Sequence, residues 1–190
     1  MTYSFVEASA NNQTVDETEL VLVYELGRIF DCLLNREGDL KAFKAFAKAE
    51  TADFISMSRM LCEQMSWDFN AVYGDDDVEY MLQGSESLSR IFIALSKVIR
   101  GNFYVKRFGN ARNEDPEESM KVIIQWVKRL CRSMGWEFWE LVQLGEERYE
   151  ERMKDLRECG INSRLKPKYR RKKECPEESA CEGCAGDGVC

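Results

Sequence analysis

A chain of 190 residues with 27 basic and 34 acidic side chains (net charge −7) and 44% apolar residues is long enough to bury a core, in one domain or two small ones. It contains no histidine, which excludes Ser–His and Cys–His nucleophile pairs, imidazole acid–base chemistry and every histidine metal site. No apolar run approaches a membrane span, and the first residues lack the basic-then-apolar pattern of a secretory leader, so the expectation is a cytoplasmic protein without membrane contact.

Three prolines and a high load of Leu, Met, Glu, Lys and Arg favour an all-α fold. Residues 1–15 are polar and read as a flexible lead-in. The spacing predicts a helix over roughly 16–35, with its clearest apolar stripe at Leu22, Leu26, Ile29 and Leu33. Asn35 to Asp39 break it. A shorter helix is expected from Leu40 to about Lys48 and a longer one from about Ala49 to Met65, followed by a turn at Ser66–Asp68. A further short helix is expected over 69–73 and an acidic loop over 74–77.

The second half then echoes the first at a constant offset of 69. Leu26 matches Leu95, Arg28 matches Lys97 and Ile29 matches Val98; Leu61-Cys62 matches Leu130-Cys131, Met65 matches Met134, Trp67-Asp68-Phe69 matches Trp136-Glu137-Phe138, and Tyr80 matches Tyr149. Trp and Cys are rare enough for this register to point to a tandem duplication, repeat one over about 16–84 and repeat two over about 85–158. Two helical hairpins packed about a pseudo-two-fold axis are the expected arrangement. The halves differ at three carboxylates: Glu25, Glu50 and Asp53 correspond to Ala94, Ser119 and Val122.

Glu50 and Asp53 lie three apart on a helix and so share one face, in a stretch apolar enough to be buried. Close carboxylates repel and call for a cation, a proton or a basic partner, and oxygen ligands of this kind suit Mg²⁺. Acidic residues also favour a helix start through the dipole, so a solvated helix end is the competing reading.

With Glu25 one helix earlier, these residues resemble the all-α nucleoside triphosphate pyrophosphatases of the MazG-like type, whose mark is an E-E-x-x-E motif followed by E-x-x-D. Tyr24-Glu25-Leu26-Gly27-Arg28 looks like the first motif, with Tyr24 and Arg28 standing where the family has glutamates; Glu50-Thr51-Ala52-Asp53 matches the second. The resemblance covers roughly 18–80, with 88–155 as a diverged copy. It implies a helical bundle with Glu25, Glu50 and Asp53 as ligands of Mg²⁺ (or Mn²⁺), and with Glu25 or Glu50 orienting or deprotonating the attacking water. The substrate would be a nucleotide cut between its α and β phosphates. Arg28, Arg148 and Arg152 become candidate phosphate contacts, Glu19 and Asp31 candidate helpers, and a homo-oligomer, such as a dimer, the expected assembly. Trp67, Trp126, Trp136, Trp139 and Phe69 are candidates for a base-stacking platform, with core packing as the competing reading.

After Gly160 the composition changes. Residues 159–174 form a basic linker, in which 164–173 hold seven positive and no negative charges, suited to an extended spacer or to contact with nucleic acid or an acidic protein. The tail, 175–190, has Cys175, Cys181, Cys184 and Cys190 spaced C-x5-C-x2-C-x5-C with glycines between. A four-thiolate zinc site, an iron–sulfur or disulfide arrangement, and plain reduced thiols all remain open. Two functions are therefore carried: a Mg²⁺-dependent pyrophosphohydrolase, and a non-catalytic helical adaptor with a metal-clipped tail.

Overall fold

The computed structural model describes residues 13–34, 40–69 and 84–159. Among these residues every regular element is a helix: α1 (Val15–Leu34), α2 (Leu40–Met65), α3 (Gly84–Phe108), α4 (Pro116–Met134) and α5 (Phe138–Cys159). Residues 1–149 form one compact unit; residues 150–190 form a second, whose described part is the end of α5. The expected short helix beyond Phe69, Tyr80, most of the basic linker and the four tail cysteines lie outside the described residues.

Local chemistry fixes several helix ends. Thr14 and Glu17 make a reciprocal capping box at the start of α1: Glu17 N donates to Thr14 Oγ1 at 3.3 Å and Thr14 N donates to Glu17 Oε2 at 2.7 Å. α4 starts on Asp115, whose carboxylate accepts from Glu118 N, with Pro116 in the first turn. α2 and α4 stop in the same way. Ser66 (φ 59°) and Gly135 (φ 71°) turn left-handed, Trp67 N donates to Cys62 O at 2.8 Å, and Trp136 N donates to Cys131 O at 2.9 Å. Both are Schellman closures, 69 residues apart.

α1 packs on α2 and α3 on α4, with smaller contacts between α1 and α3 and between α2 and α4. Asp16 pairs with Lys106 and Glu19 with Asn102, so the start of α1 meets the end of α3 and the two run antiparallel. The core draws on Leu22, Leu26 and Ile29 of α1, Phe54, Met57 and Met60 of α2, Leu88, Ile91, Leu95 and Val98 of α3, and Ile123, Ile124, Val127 and Leu130 of α4. Phe69 and Phe138, matched across the offset, are equally buried.

The expected break between two helices at Lys48 and Ala49 is absent: α2 is continuous from Leu40 to Met65. The acidic residues that looked like a helix start lie in its middle, where every residue from Glu50 to Ser58 is buried. A helix buried on all sides needs neighbours all round. α1, α4 and α5 supply them, α5 approaching so closely at Gly145 that no side chain fits there. The hydroxyls along this stretch satisfy themselves on the preceding turn: Thr51 on Ala47 O, Ser56 on Ala52 O and Ser58 on Phe54 O.

Cys32, Cys62 and Cys131 are buried free thiols. Burial pushes Cys62 and Cys131 up to about 12, so both stay protonated and pack as small apolar groups.

Candidate functional site

Glu25 leaves the inner face of α1 one turn from Leu22 and Ile29, which carry that face into the core. Glu50 and Asp53 share the face of α2 that meets it. The result is three carboxylates, each at most 2% exposed, with one oxygen apiece lying within 4.8 Å of one another. Around a Mg²⁺ at about 2.1 Å neighbouring oxygens sit roughly 3 Å apart and opposite ones roughly 4.2 Å, so side-chain rotations that close the cluster by up to about 2 Å would let all three reach one ion. The donor set, all carboxylate oxygen, fits a hard cation.

Two arginines already border the cluster. Arg148 on α5 holds Asp53 in a fork, Nε to Oδ1 at 3.1 Å and Nη2 to Oδ2 at 2.8 Å. Arg28, one turn beyond Glu25, places Nε 2.8 Å from Glu50 Oε2. That approach lies off the direction of a hydrogen bond, so charge and not a directed bond joins them. Burial works against the charge on Arg28, but the Tyr24 hydroxyl and the carboxylates of Glu50 and Glu25 more than offset it and hold the guanidinium pKa above its ordinary value. Cys32 is also beside this group: burial first, then the carboxylates of Glu50 and Asp31, push its thiol up.

Aromatic residues gather on Arg28. Its Nη1 donates to the Tyr24 hydroxyl at 2.8 Å, and its guanidinium lies 4.7 Å from the centre of the Phe46 ring and 5.6 Å from that of Tyr24. Sequence reasoning passed over both rings as neighbours of the cluster, although Phe46 stands one turn before Glu50 and Tyr24 one turn before Arg28. The aromatics singled out instead sit elsewhere. Trp126 lies between Arg90 and Arg129, Trp139 is exposed against Phe138, Phe69 is buried under Arg59, and Trp67 and Trp136 follow the two Schellman turns.

Glu25, Glu50, Asp53, Arg28 and Arg148 thus come together. Arg152 is buried on α5 one turn past Arg148 and falls in the second unit. Asp31 is exposed. Glu19, six residues from Glu25, points elsewhere and accepts from Asn102 Nδ2 at 2.7 Å between α1 and α3. Burial raises its pKa, opposed by that bond, with Asp16 adding to the rise and Lys106 opposing it.

A carboxyl whose folded pKa is raised keeps its proton longer in the native state than in the unfolded one. Stability from this group is therefore complete in acid and falls as pH rises from the ordinary glutamate value through the raised one. Glu19→Gln, which keeps an acceptor for Asn102, should escape that fall. Urea midpoints measured from about pH 4 to about pH 7 should show the variant gaining on the wild type as pH rises, and a constant gap would refute this.

In comparison with known proteins, the chain matches no family model, no curated protein and no solved structure.

Proposed function

We propose that the chain is a Mg²⁺-dependent nucleoside triphosphate pyrophosphohydrolase, releasing a nucleoside monophosphate and pyrophosphate, on a tandem pair of diverged helical repeats of MazG-like type. One observation carries the reading: Glu25, Glu50 and Asp53, from two helices, bring three buried carboxylate oxygens within 4.8 Å of one another. The shared 69-residue spacing of the starts of α1 and α3 and of the ends of α2 and α4, with their like closures, supports the duplication.

Glu25, Glu50 and Asp53 would hold the ion. When bound, Mg²⁺ (or Mn²⁺) supplies neutralisation of the phosphate charge and a more acidic water. Glu50 or Glu25 would orient the attacking water or take its proton. Arg28 and Arg148, at the edge of the cluster, would face the phosphates, and the resemblance makes Arg152 a further candidate phosphate contact. The exposed apolar residues Leu20, Val23 and Tyr24 on α1, with Phe92 and Ile93 on α3, favour association as a dimer.

The test is pyrophosphate release from a panel of standard and damaged nucleoside triphosphates with Mg²⁺ or Mn²⁺. Asp53→Asn and Glu50→Gln should fold and lose at least roughly 100-fold in rate, the scale of a removed charge-stabilising group. No release from any nucleotide by the folded wild type would sink the enzyme reading.

The ion pairs of Glu50 and Asp53 favour a second reading, in which the cluster is a buried structural network and the chain a helical adaptor. That adaptor would act through its basic linker and a tail whose Cys175, Cys181, Cys184 and Cys190 hold Zn²⁺. Under it the two carboxylate variants would leave partner binding intact, and Cys181→Ser would not.

A further inference from the structure

Two of the buried carboxylates are held by guanidinium groups at the cluster's edge, Glu50 by Arg28 and Asp53 by Arg148, and the charge of Glu25 also acts on Arg28. Each of these two pairs is already neutral in whole charges. A divalent cation entering alone would meet two guanidiniums pressed against the oxygens it needs. It could engage Glu50 and Asp53 fully only by pushing both arginines off, stranding them without a counter-charge near a low-dielectric core.

A polyanion arriving with the cation removes that obstacle. Each guanidinium released from a carboxylate finds phosphate oxygens, which it can grip through the same planar fork that Arg148 now uses on Asp53. Both side chains are positioned for the exchange. Arg28 is 31% and Arg148 30% exposed, against 2% and 1% for their carboxylate partners, so the arginine heads border solvent while the acids do not. Arg28 also rests on Phe46 and Tyr24, which hold its charged end over ring faces at the cluster's edge.

We infer that Arg28 and Arg148 are exchangeable counter-ions of the cluster, so that the site takes a divalent cation together with a polyphosphate and takes the bare cation poorly. The inference rests on the metal reading above and adds an order to it: cation and polyphosphate bind as a unit, each strengthening the other by the same factor.

Calorimetric titration of the full chain with Mn²⁺ alone, and with the preformed Mn²⁺–pyrophosphate complex, tests it without any turnover. The wild type should prefer the complex by roughly 5- to 150-fold, the usual range of coupling between two ligands. Arg28→Gln and Arg148→Gln should each bind bare Mn²⁺ more tightly than the wild type and the complex more weakly, so that the preference shrinks. Arg28→Gln is the safeguard, because its pair is the less directed of the two and its loss threatens folding less; circular dichroism checks both variants. A wild type that binds bare Mn²⁺ as tightly as the complex, or variants that keep the wild-type preference, overturns the exchange and leaves the metal reading standing. If neither form binds the wild type or the variants, both fall.

Discussion

Gly145→Ala should be strongly destabilising although it adds a single methyl and leaves all charges in place. A methyl at this position would fall inside the envelope of the Ala52 carbonyl oxygen and of Ser56 Oγ, and 3.0 Å from the Ala52 carbonyl carbon. Ser56 Oγ could rotate, but the Ala52 carbonyl is backbone in the middle of the buried stretch of α2 and cannot. α5 would have to lift from α2, taking Arg148 away from Asp53 and Glu146 away from Arg59. Overpacking against backbone at this level costs about 3 kcal/mol. At about 2–4 °C per kcal/mol for a chain of this size, the melting temperature should drop by about 6–12 °C. Gly27→Ala is the control: it lies mid-helix on α1 with open space around the added methyl, and should gain up to about 1 kcal/mol. A Gly145→Ala melt within about 2 °C of the wild type would mean that α5 does not press on α2 as described.

The second large effect concerns the ion network. Arg148→Met removes the fork from a carboxylate that is 1% exposed, and a carboxylate stripped of its partner inside a protein is strongly destabilising. The loss should be about 3 kcal/mol, at the low end for buried pairs because the outer part of Arg148 meets water. Adding Asp53→Asn should restore most of it, since the neutral amide no longer carries an uncompensated charge. Urea unfolding of the four members of this cycle gives the coupling directly. If the double variant is as unstable as Arg148→Met alone, packing of the arginine stem and not charge holds the contact.

The all-α class and the shared face of Glu50 and Asp53 were both legible in the sequence, for a simple reason, whereas Glu25 joined them only through the resemblance to the MazG-like family. Helical periodicity is a local property, and carboxylates three apart on a strongly apolar segment share a face wherever that segment goes. The reading failed where local and distant causes look alike. Glu50-Thr51-Ala52-Asp53 has the composition of an acidic first turn stabilised by the helix dipole, and a break was placed before it. In the fold the same acids sit mid-helix, where arginines from α1 and α5 balance them. Only one of those arginines is near in sequence. Glu19 was assigned to the cluster by lying on the same helix as Glu25, yet six residues turn a side chain to a different face. The aromatic surround of Arg28 was missed because Tyr24 and Phe46 lie on separate helices, and nothing in either helix's own periodicity pairs them.

The fork between Arg148 and Asp53 joins residues 95 apart. On a ribosome this is a delay in time. At 5–20 residues per second, Asp53 leaves the peptidyl-transferase centre roughly 5–20 s before its arginine does. During that interval the first hairpin can form its caps and bury its leucines, but its central helix carries a carboxylate that lacks its eventual partner. The emerging chain is therefore held back from full closure until its last described helix is made, and a product cut short after α4 inherits that unfinished state permanently.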